Sequence, residues 1–158
     1  MSAHVVQLSR SRGGVPKLSI DEAIVTAAGL AGDRQRDRRF HGGPQRALCL
    51  YSDELIEQLV AEGHPIARGT VGENVTIRGL DWSALRPGVR LAIGEIEVEI
   101  TAYTAPCRTI RESFLDENFT RISQKLHHGW SRVYCRVLRE GTIRVKDQVT
   151  LMASPGLP

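Results

Sequence analysis

The sequence holds little of what a membrane, haem or zinc protein requires. No apolar run approaches the ~20 residues of a membrane-spanning helix. Met1-Ser2-Ala3-His4 leads into too short an apolar stretch for a secretory leader. Cysteine is scarce: Cys49, Cys107 and Cys135 stand far apart, with no Cys-x-x-Cys pair. That spacing argues against a structural zinc site, a c-type haem attachment and an iron–sulfur ligand set. An odd cysteine count without a leader points to a reducing compartment, so a soluble cytoplasmic protein is expected. No Gly-x-Gly-x-x-Gly loop is present to hold a dinucleotide. Aromatic residues make up 5% of the chain, so the core must rest on Val, Ile and Leu. No helix-turn-helix pattern or aromatic-rich RNA-binding strand is visible. Charge of neither sign dominates: 21 Lys and Arg against 18 Asp and Glu leave +3. This mild excess favours anionic ligands without demanding nucleic acid.

What is present reads as one domain of many short strands and few helices. The 158 residues suffice for a single full core. We expect one domain over 1–152 and a fraying tail over 153–158, with no internal repeat or linker. Extended segments are expected at His4–Leu8, Lys17–Thr26, Ala47–Tyr51, Val133–Leu138, Ile143–Val145 and Val149–Met152. The strongest pattern is Val89–Ile100, where Val89, Leu91, Ile93, Ile96, Val98 and Ile100 alternate around Gly94-Glu95. Gly-x suits a two-residue type II′ turn, which pairs Ile93 with Ile96, Leu91 with Val98 and Arg90 with Glu99. One helix is expected after Ser52, with Ser52 as N-cap, Leu55, Ile56, Leu59 and Val60 on one face, and Gly63 as its stop. His64 reads as a plain loop residue. A second helical pattern follows Cys107, through Ile110, Phe114, Leu115, Phe119, Ile122 and Leu126 to Gly129, all read as core. His127 and His128 are adjacent and cannot share a helix face, so they are rejected as a paired metal site.

Cys107 is the leading candidate for chemistry. It leaves the hairpin strand through Thr104-Ala105-Pro106, where Pro106 stiffens the backbone, and Arg108 stands beside it. A neighbouring cation favours the thiolate, the form that attacks electrophiles and binds soft metals. The competing reading is a small buried hydrophobe, which is how Cys49 and Cys135 are read within their strands. Gly29–Ala47 is a long loop rich in Gly and Arg. Its glycines let backbone approach a ligand and its arginines can fork onto phosphate; a solvated basic loop or a nucleic-acid patch has the same composition. Asn74, in Gly72-Glu73-Asn74, supports the turn by default or holds a ligand's polar edge.

Four stretches taken together resemble the MOSC domain, named for the C-terminal domain of molybdenum-cofactor sulfurase. They are Gly32-Asp33-Arg34 with His41-Gly42-Gly43-Pro44-Gln45-Arg46-Ala47, then Gly72-Glu73-Asn74, Pro106-Cys107-Arg108, and Tyr134 to Val149. The likeness runs from about Pro16 to Leu151 and is nearest to stand-alone bacterial members. Lys146-Asp147 departs from it, where Gly-Asp is expected in a turn. The resemblance implies a mainly β, barrel-like domain with a few short helices. It also implies a molybdenum cofactor ligated by Cys107 and held by Asp33, Arg34, His41, Gly42, Gly43, Arg46, Gly72, Glu73, Asn74 and Arg108. Two activities follow from it. One is reduction of N-hydroxylated compounds such as hydroxylaminopurines, with electrons from a separate reductase. The other is a sulfur carrier holding a persulfide on Cys107, loaded by a cysteine desulfurase. Nucleic-acid binding through Arg34–Arg39 ranks below both.

Overall fold

The computed structural model describes residues 2–11, 15–33 and 43–152. Its strands are β1 (His4–Arg10), β2 (Leu18–Ile20), β3 (Glu22–Thr26), β4 (Gly29–Leu30), β5 (Leu48–Ser52), β6 (Val75–Arg78), β7 (Arg90–Ile93), β8 (Ile96–Tyr103), β9 (Val133–Arg139), β10 (Gly141–Arg144) and β11 (Val149–Leu151). Among the described residues one α-helix, α1 (Asp53–Ala61), follows β5, and the remaining helical pieces are short 3-10 turns. An 8-stranded sheet runs in the order β11-β7-β8-β9-β5-β6-β1-β2, and β10-β3-β4 form a 3-stranded one. The fold is mainly β, as the sequence leads one to expect, but the large sheet is not closed into a barrel. Its edges are β11 and β2. Val5 N–H to Asp147 O and Val149 N–H to Ala3 O, both 2.9 Å, draw β1 towards the chain around β11 without a continuous ladder.

Two local expectations hold in detail. The β7–β8 hairpin pairs Ile93 with Ile96, Leu91 with Val98 and Arg90 with Glu99. Arg90 reaches Glu99 at 3.0 Å, and Arg136 on β9 reaches the same carboxylate at 2.9 Å. Ser52 caps α1 by accepting from Leu55 N–H at 3.1 Å, and Gly63, at φ +100°, ends it. Ile56 and Leu59 bury their side chains, but Val60 is 51% exposed. A helix this short presents only a narrow stripe to the sheet, and Val60 falls outside it.

The chain after Cys107 departs from expectation. It forms 3-10 turns at Arg108–Ser113, Leu115–Glu117 and Phe119–Ile122 rather than an α-helix. The break is in the backbone: Phe114 is extended at φ −129°, and Asp116 and Glu117 sit at φ +54° and +56°. Ile110, Phe114 and Ile122 still bury their side chains, whereas Leu115 and Leu126 are exposed. His64 explains part of this path. It is buried, its Nδ1 accepts from Leu115 N–H at 3.0 Å, and its ring meets Phe114 edge-on at 5.5 Å between centroids. A tertiary hydrogen bond thus takes the Leu115 N–H that a continuous helix would have used.

Register assigns the two faces of the central sheet. Residues opposite one another in a ladder share a side. Leu48 lies opposite Cys135, and Leu50 opposite both Val133 and Val75; all five belong to the apolar core. Cys49 lies opposite Tyr134, Tyr51 opposite Thr76, and Ala102 opposite Tyr134. On this second face polar side chains are buried rather than solvated: Cys49, Tyr51, Thr76 and Tyr134 are all 5% exposed or less.

Candidate functional site

The buried polar face is held by loops that bring three distant parts of the chain together. Asn74 sits at the start of β6 with no exposure. Its Oδ1 accepts from Cys49 N–H at 3.0 Å, and its Nδ2 donates to Asp33 Oδ2 at 2.9 Å and to Ser9 O at 3.3 Å. Lys17 donates to the same Asp33 oxygen at 2.6 Å, and Ser11 N–H to Asp33 Oδ1 at 2.8 Å. The Lys17 and Asp33 side chains are only 2% and 6% exposed, so this is a buried ion pair. Asn74 thereby ties β5, β1 and Asp33 together. It also fixes Asp33, the last described residue before the Gly- and Arg-rich loop.

Glu73 and Arg132 carry the unusual electrostatics. Glu73 is fully buried, and Oε2 accepts from Gly69 N–H at 2.9 Å and Thr76 Oγ1 at 3.1 Å. Oε1 has no hydrogen-bond partner among the described residues. Burial pushes the Glu73 carboxyl above the usual range, against the hydrogen bond from Gly69 and the charge of Arg132. Arg132, just before β9, is 5% exposed. Its Nη1 donates to Val71 O at 2.6 Å and its Nη2 reaches Ala105 O at 3.5 Å, while the buried Nε has no partner among the described residues. This guanidinium joins the Gly72 loop to the segment that carries Cys107. Ser131 adds to the clamp by donating to Thr104 O at 3.1 Å.

Cys107 differs from the other two thiols. All three are free, but Cys49 and Cys135 are buried and Cys107 is half-exposed. Burial raises the Cys49 thiol, opposed by Arg132, and raises Cys135 as well, which keeps both protonated. Cys107 is extended at φ −140°, opens the 3-10 turn over Arg108–Ser113, and donates its S–H to Thr109 Oγ1 at 3.2 Å. The exposed Arg108 flanks it. Thr109 also lines an open cleft of about 320 Å³ between that turn and the Val15–Pro16 and Pro65–Thr70 segments.

The other residues named from the sequence fall into three groups. Asp33, Gly72, Glu73 and Asn74 converge beside Lys17 and Arg132. Gly72 has φ +84°, and a Cβ there would stand 3.3 Å from Val15 Cγ1, so the loop is built for glycine. Arg46 approaches the same face from another side, and Gly43 is the exposed residue that opens its turn. Arg46 lies 5.4 Å over the Tyr134 ring, and Thr101 Oγ1 donates to Gln45 O, tying this turn to β8. Arg34, His41 and Gly42 lie outside the described residues. Lys17, Thr109 and Arg132 were not singled out in the sequence. A signal existed for Arg132: Arg132, Tyr134 and Arg136 alternate with Val133, Cys135 and Val137, so a charge enters a buried strand in register. Among the described residues no group of His, Cys, Asp or Glu could hold a metal ion by itself. No helix among them is long and apolar enough to cross a membrane.

The MOSC domain model matches residues 37–150. The chain belongs to the MOSC domain family. Protein YiiM of Escherichia coli (strain K12) is 28% identical over 122 residues, 73% of this chain and 54% of that protein. The uncharacterized protein YflK of Bacillus subtilis (strain 168) is 30% identical over 126 residues, 77% of this chain and 55% of that one. The chain thus spans about half the length of these curated relatives. Among solved structures, a hypothetical protein superposes with TM-score 0.77 at 26% identity, covering 97% of this chain and 69% of that one. YiiM from Escherichia coli superposes with TM-score 0.72 at 23% identity, covering 97% and 70%. The YuaD protein from Bacillus subtilis superposes with TM-score 0.72 at 21% identity, covering 94% of both chains. The MOSC domain is tied to molybdenum-cofactor-related function, and this chain fits that description. Lys146, the departure from the family's Gly-Asp, sits at φ +82°, where glycine is the unstrained residue.

Proposed function

We propose that this MOSC protein holds a molybdenum cofactor through Cys107 and reduces N-hydroxylated compounds, with electrons supplied by a separate reductase. The observation that carries the reading is the contrast among the thiols. Cys107 is the half-exposed one, hydrogen-bonded to a threonine that lines a cleft, while the other two are buried. A thiolate is a soft ligand suited to such a metal. The surroundings fit an anionic, soft-centred group. The buried guanidinium of Arg132 keeps an Nε without a partner among the described residues, Lys17 lies nearby in the buried network, and Arg46 stands over Tyr134. When bound, the cofactor supplies the redox centre; this chain supplies ligation, orientation and electrostatics. Cys107 would be the ligand, oriented by Thr109. Arg46 and Arg132 would offset negative charge, with Arg34, His41, Gly42, Gly43 and Arg108 completing the anion contacts. Asp33, Glu73 and Asn74 hold those loops in place, and Gly72 allows the close turn.

Metal analysis of protein made in a cofactor-competent host tests this. Molybdenum should accompany the wild type and be lost in Cys107→Ala. Equal molybdenum in both, or none in either, rejects ligation. The accessible thiol also favours the second activity, sulfur carriage as a Cys107 persulfide loaded by a cysteine desulfurase. Intact mass after incubation with a desulfurase separates the two. A gain of one sulfur that Cys107→Ala abolishes supports the carrier, and no gain removes it.

A further inference from the structure

We propose that His64 is a pH-sensitive latch: neutral, it ties two walls of the cleft together, and protonated it lets them part. The inference goes beyond the reaction and holds whether Cys107 carries metal or sulfur. Pro65 and Thr70 line one wall of the cleft, and residues 109–113 line another. His64 leads into the first wall and is buried, with its own N–H donating to Leu59 O at 3.1 Å. Its ring crosses to the chain that continues the second wall, where Nδ1 accepts from Leu115 N–H at 3.0 Å. Ser113 Oγ, donating to Thr70 O, also joins the walls but at a longer 3.4 Å. The backbone past the latch is strained. Asp116 and Glu117 are consecutive non-glycine residues at φ +54° and +56°, where a Cβ is disfavoured. Such a pair persists only where its surroundings fix it. His64 fixes it through Leu115 N–H and through the buried Phe114 ring, and Arg111 adds an ion pair to Glu117 at 3.3 Å. Losing the first of these contacts gives the turn a way to relax. The same stretch of chain carries the 3-10 turn over Arg108–Ser113 that Cys107 opens.

Protonation breaks the contact through hydrogen-bond chemistry. The Leu115 N–H can only donate, so Nδ1 holds a lone pair and Nε2 holds the proton, which faces Glu62 Oε1 at 3.3 Å. A second proton makes Nδ1 a donor facing a donor. The imidazolium is drawn to Glu62 instead, away from Leu115. Glu62 follows α1 and favours the charged ring; Arg121, from the turn over Phe119–Ile122, lies across that carboxylate and opposes it. Arg121 holds both Glu62 oxygens, at 3.0 and 2.8 Å. These hydrogen bonds keep the Glu62 carboxyl below its usual range, so it remains a carboxylate for the imidazolium to meet. Phe114 brings only its ring, and Asp116 and Glu117 are exposed on the pinned turn itself.

Amide exchange read by NMR on the full chain, corrected for the intrinsic pH dependence of exchange, tests the latch. Protection of Leu115 should fall by about tenfold or more between about pH 7.5 and pH 5. Protection of Ile110, whose N–H donates to Cys107 O at 3.2 Å, should fall with it. Ile100, whose N–H donates to Val89 O, should keep its protection, which separates release of the turn from global unfolding. His64→Asn retains an uncharged acceptor near the Nδ1 position and should stay protected at both pH values. His64→Phe fills the space without an acceptor and should be unprotected at both. Glu62→Gln removes the charge that favours the imidazolium and should move the transition to lower pH. Imidazole nitrogen shifts of the wild type, which need no variant to fold, should show the proton on Nε2 and not on Nδ1 at the higher pH. Wild-type protection that ignores pH, a His64→Asn protein that loses it as the wild type does, a His64→Phe protein that keeps it, a transition unmoved in Glu62→Gln, or a neutral ring protonated at Nδ1 overturns the latch. Loss at Leu115 with Ile110 unmoved overturns its reach to the Cys107 turn.

Discussion

The two faces of the strands at the middle of the large sheet are stabilised by different physics. On one side Leu48, Leu50, Val133 and Cys135 lose contact with water and gain close packing. That term depends on volume and tolerates apolar exchange. On the other side Cys49, Asn74, Arg132 and Tyr134 are equally hidden, but every polar group there needs a partner of the right geometry. The lesson lies in which groups lack one. Among the described residues Glu73 Oε1 and Arg132 Nε have no partner, and Arg132 also reaches the segment that leads to Cys107. The apolar face specifies the fold, and the polar face keeps unspent hydrogen-bonding capacity near the segment that leads to Cys107.

Breaking the buried ion pair should be the most damaging way to test this contrast. Lys17→Met leaves Asp33 without its ammonium partner and is expected to cost about 3–5 kcal/mol in denaturant unfolding. Adding Asp33→Asn should recover much of that loss, which no pair of cavity mutations on the apolar face should do. Leu50→Ala opens a cavity among fully buried neighbours and should cost about 2–5 kcal/mol, set by how far the site collapses. Its cost should be insensitive to pH.

Glu73→Gln sharpens the comparison through pH. The Glu73 carboxyl is raised by burial. Between its unfolded and folded pKa values the folded state binds the extra proton, so wild-type stability falls as pH rises through that window. The amide cannot ionise. Thermal unfolding of Glu73→Gln against the wild type should favour the variant increasingly as pH rises above the ordinary carboxyl range, with the advantage gone below it. A difference that stays constant with pH would show that Glu73 is not held protonated. Asp53 provides the opposite sign. Burial pushes its carboxyl up, but hydrogen bonds from Arg68 and Arg78 outweigh this and leave it below the usual range. Its contribution is present above the unfolded pKa and is lost as pH falls through the folded one. The smallest expected effect lies away from both faces. Lys146→Gly relieves a left-handed backbone and should stabilise by roughly 0.5–1 kcal/mol in the same unfolding assay.

Much of the β architecture was legible because strand patterning is local. The Val89–Ile100 alternation with Gly94 at its turn specified a register that the β7–β8 pairing matches pair for pair. Ser52 and Gly63 marked the ends of α1 for equally local reasons. The segment after Cys107 was misread because its apolar spacing is helical while its backbone obeys His64, a residue more than forty positions away in sequence, whose ring takes the Leu115 N–H. For the site, the ordered motifs named Asp33, Gly72, Glu73, Asn74 and Cys107. They could not name Lys17 or Arg132, which matter through burial and partners supplied by other loops.

By itself the sequence determined the mainly β class, the hairpin register, the helix caps and the cysteine worth attention, because side-chain period and turn chemistry act over a few residues. Tertiary structure alone decided that the sheet stays open, that one of its faces buries polar groups, and that one thiol remains half-exposed beside a cleft. Those outcomes depend on which distant segments cover each face, and a residue's burial and hydrogen-bond partners are properties of the packed chain.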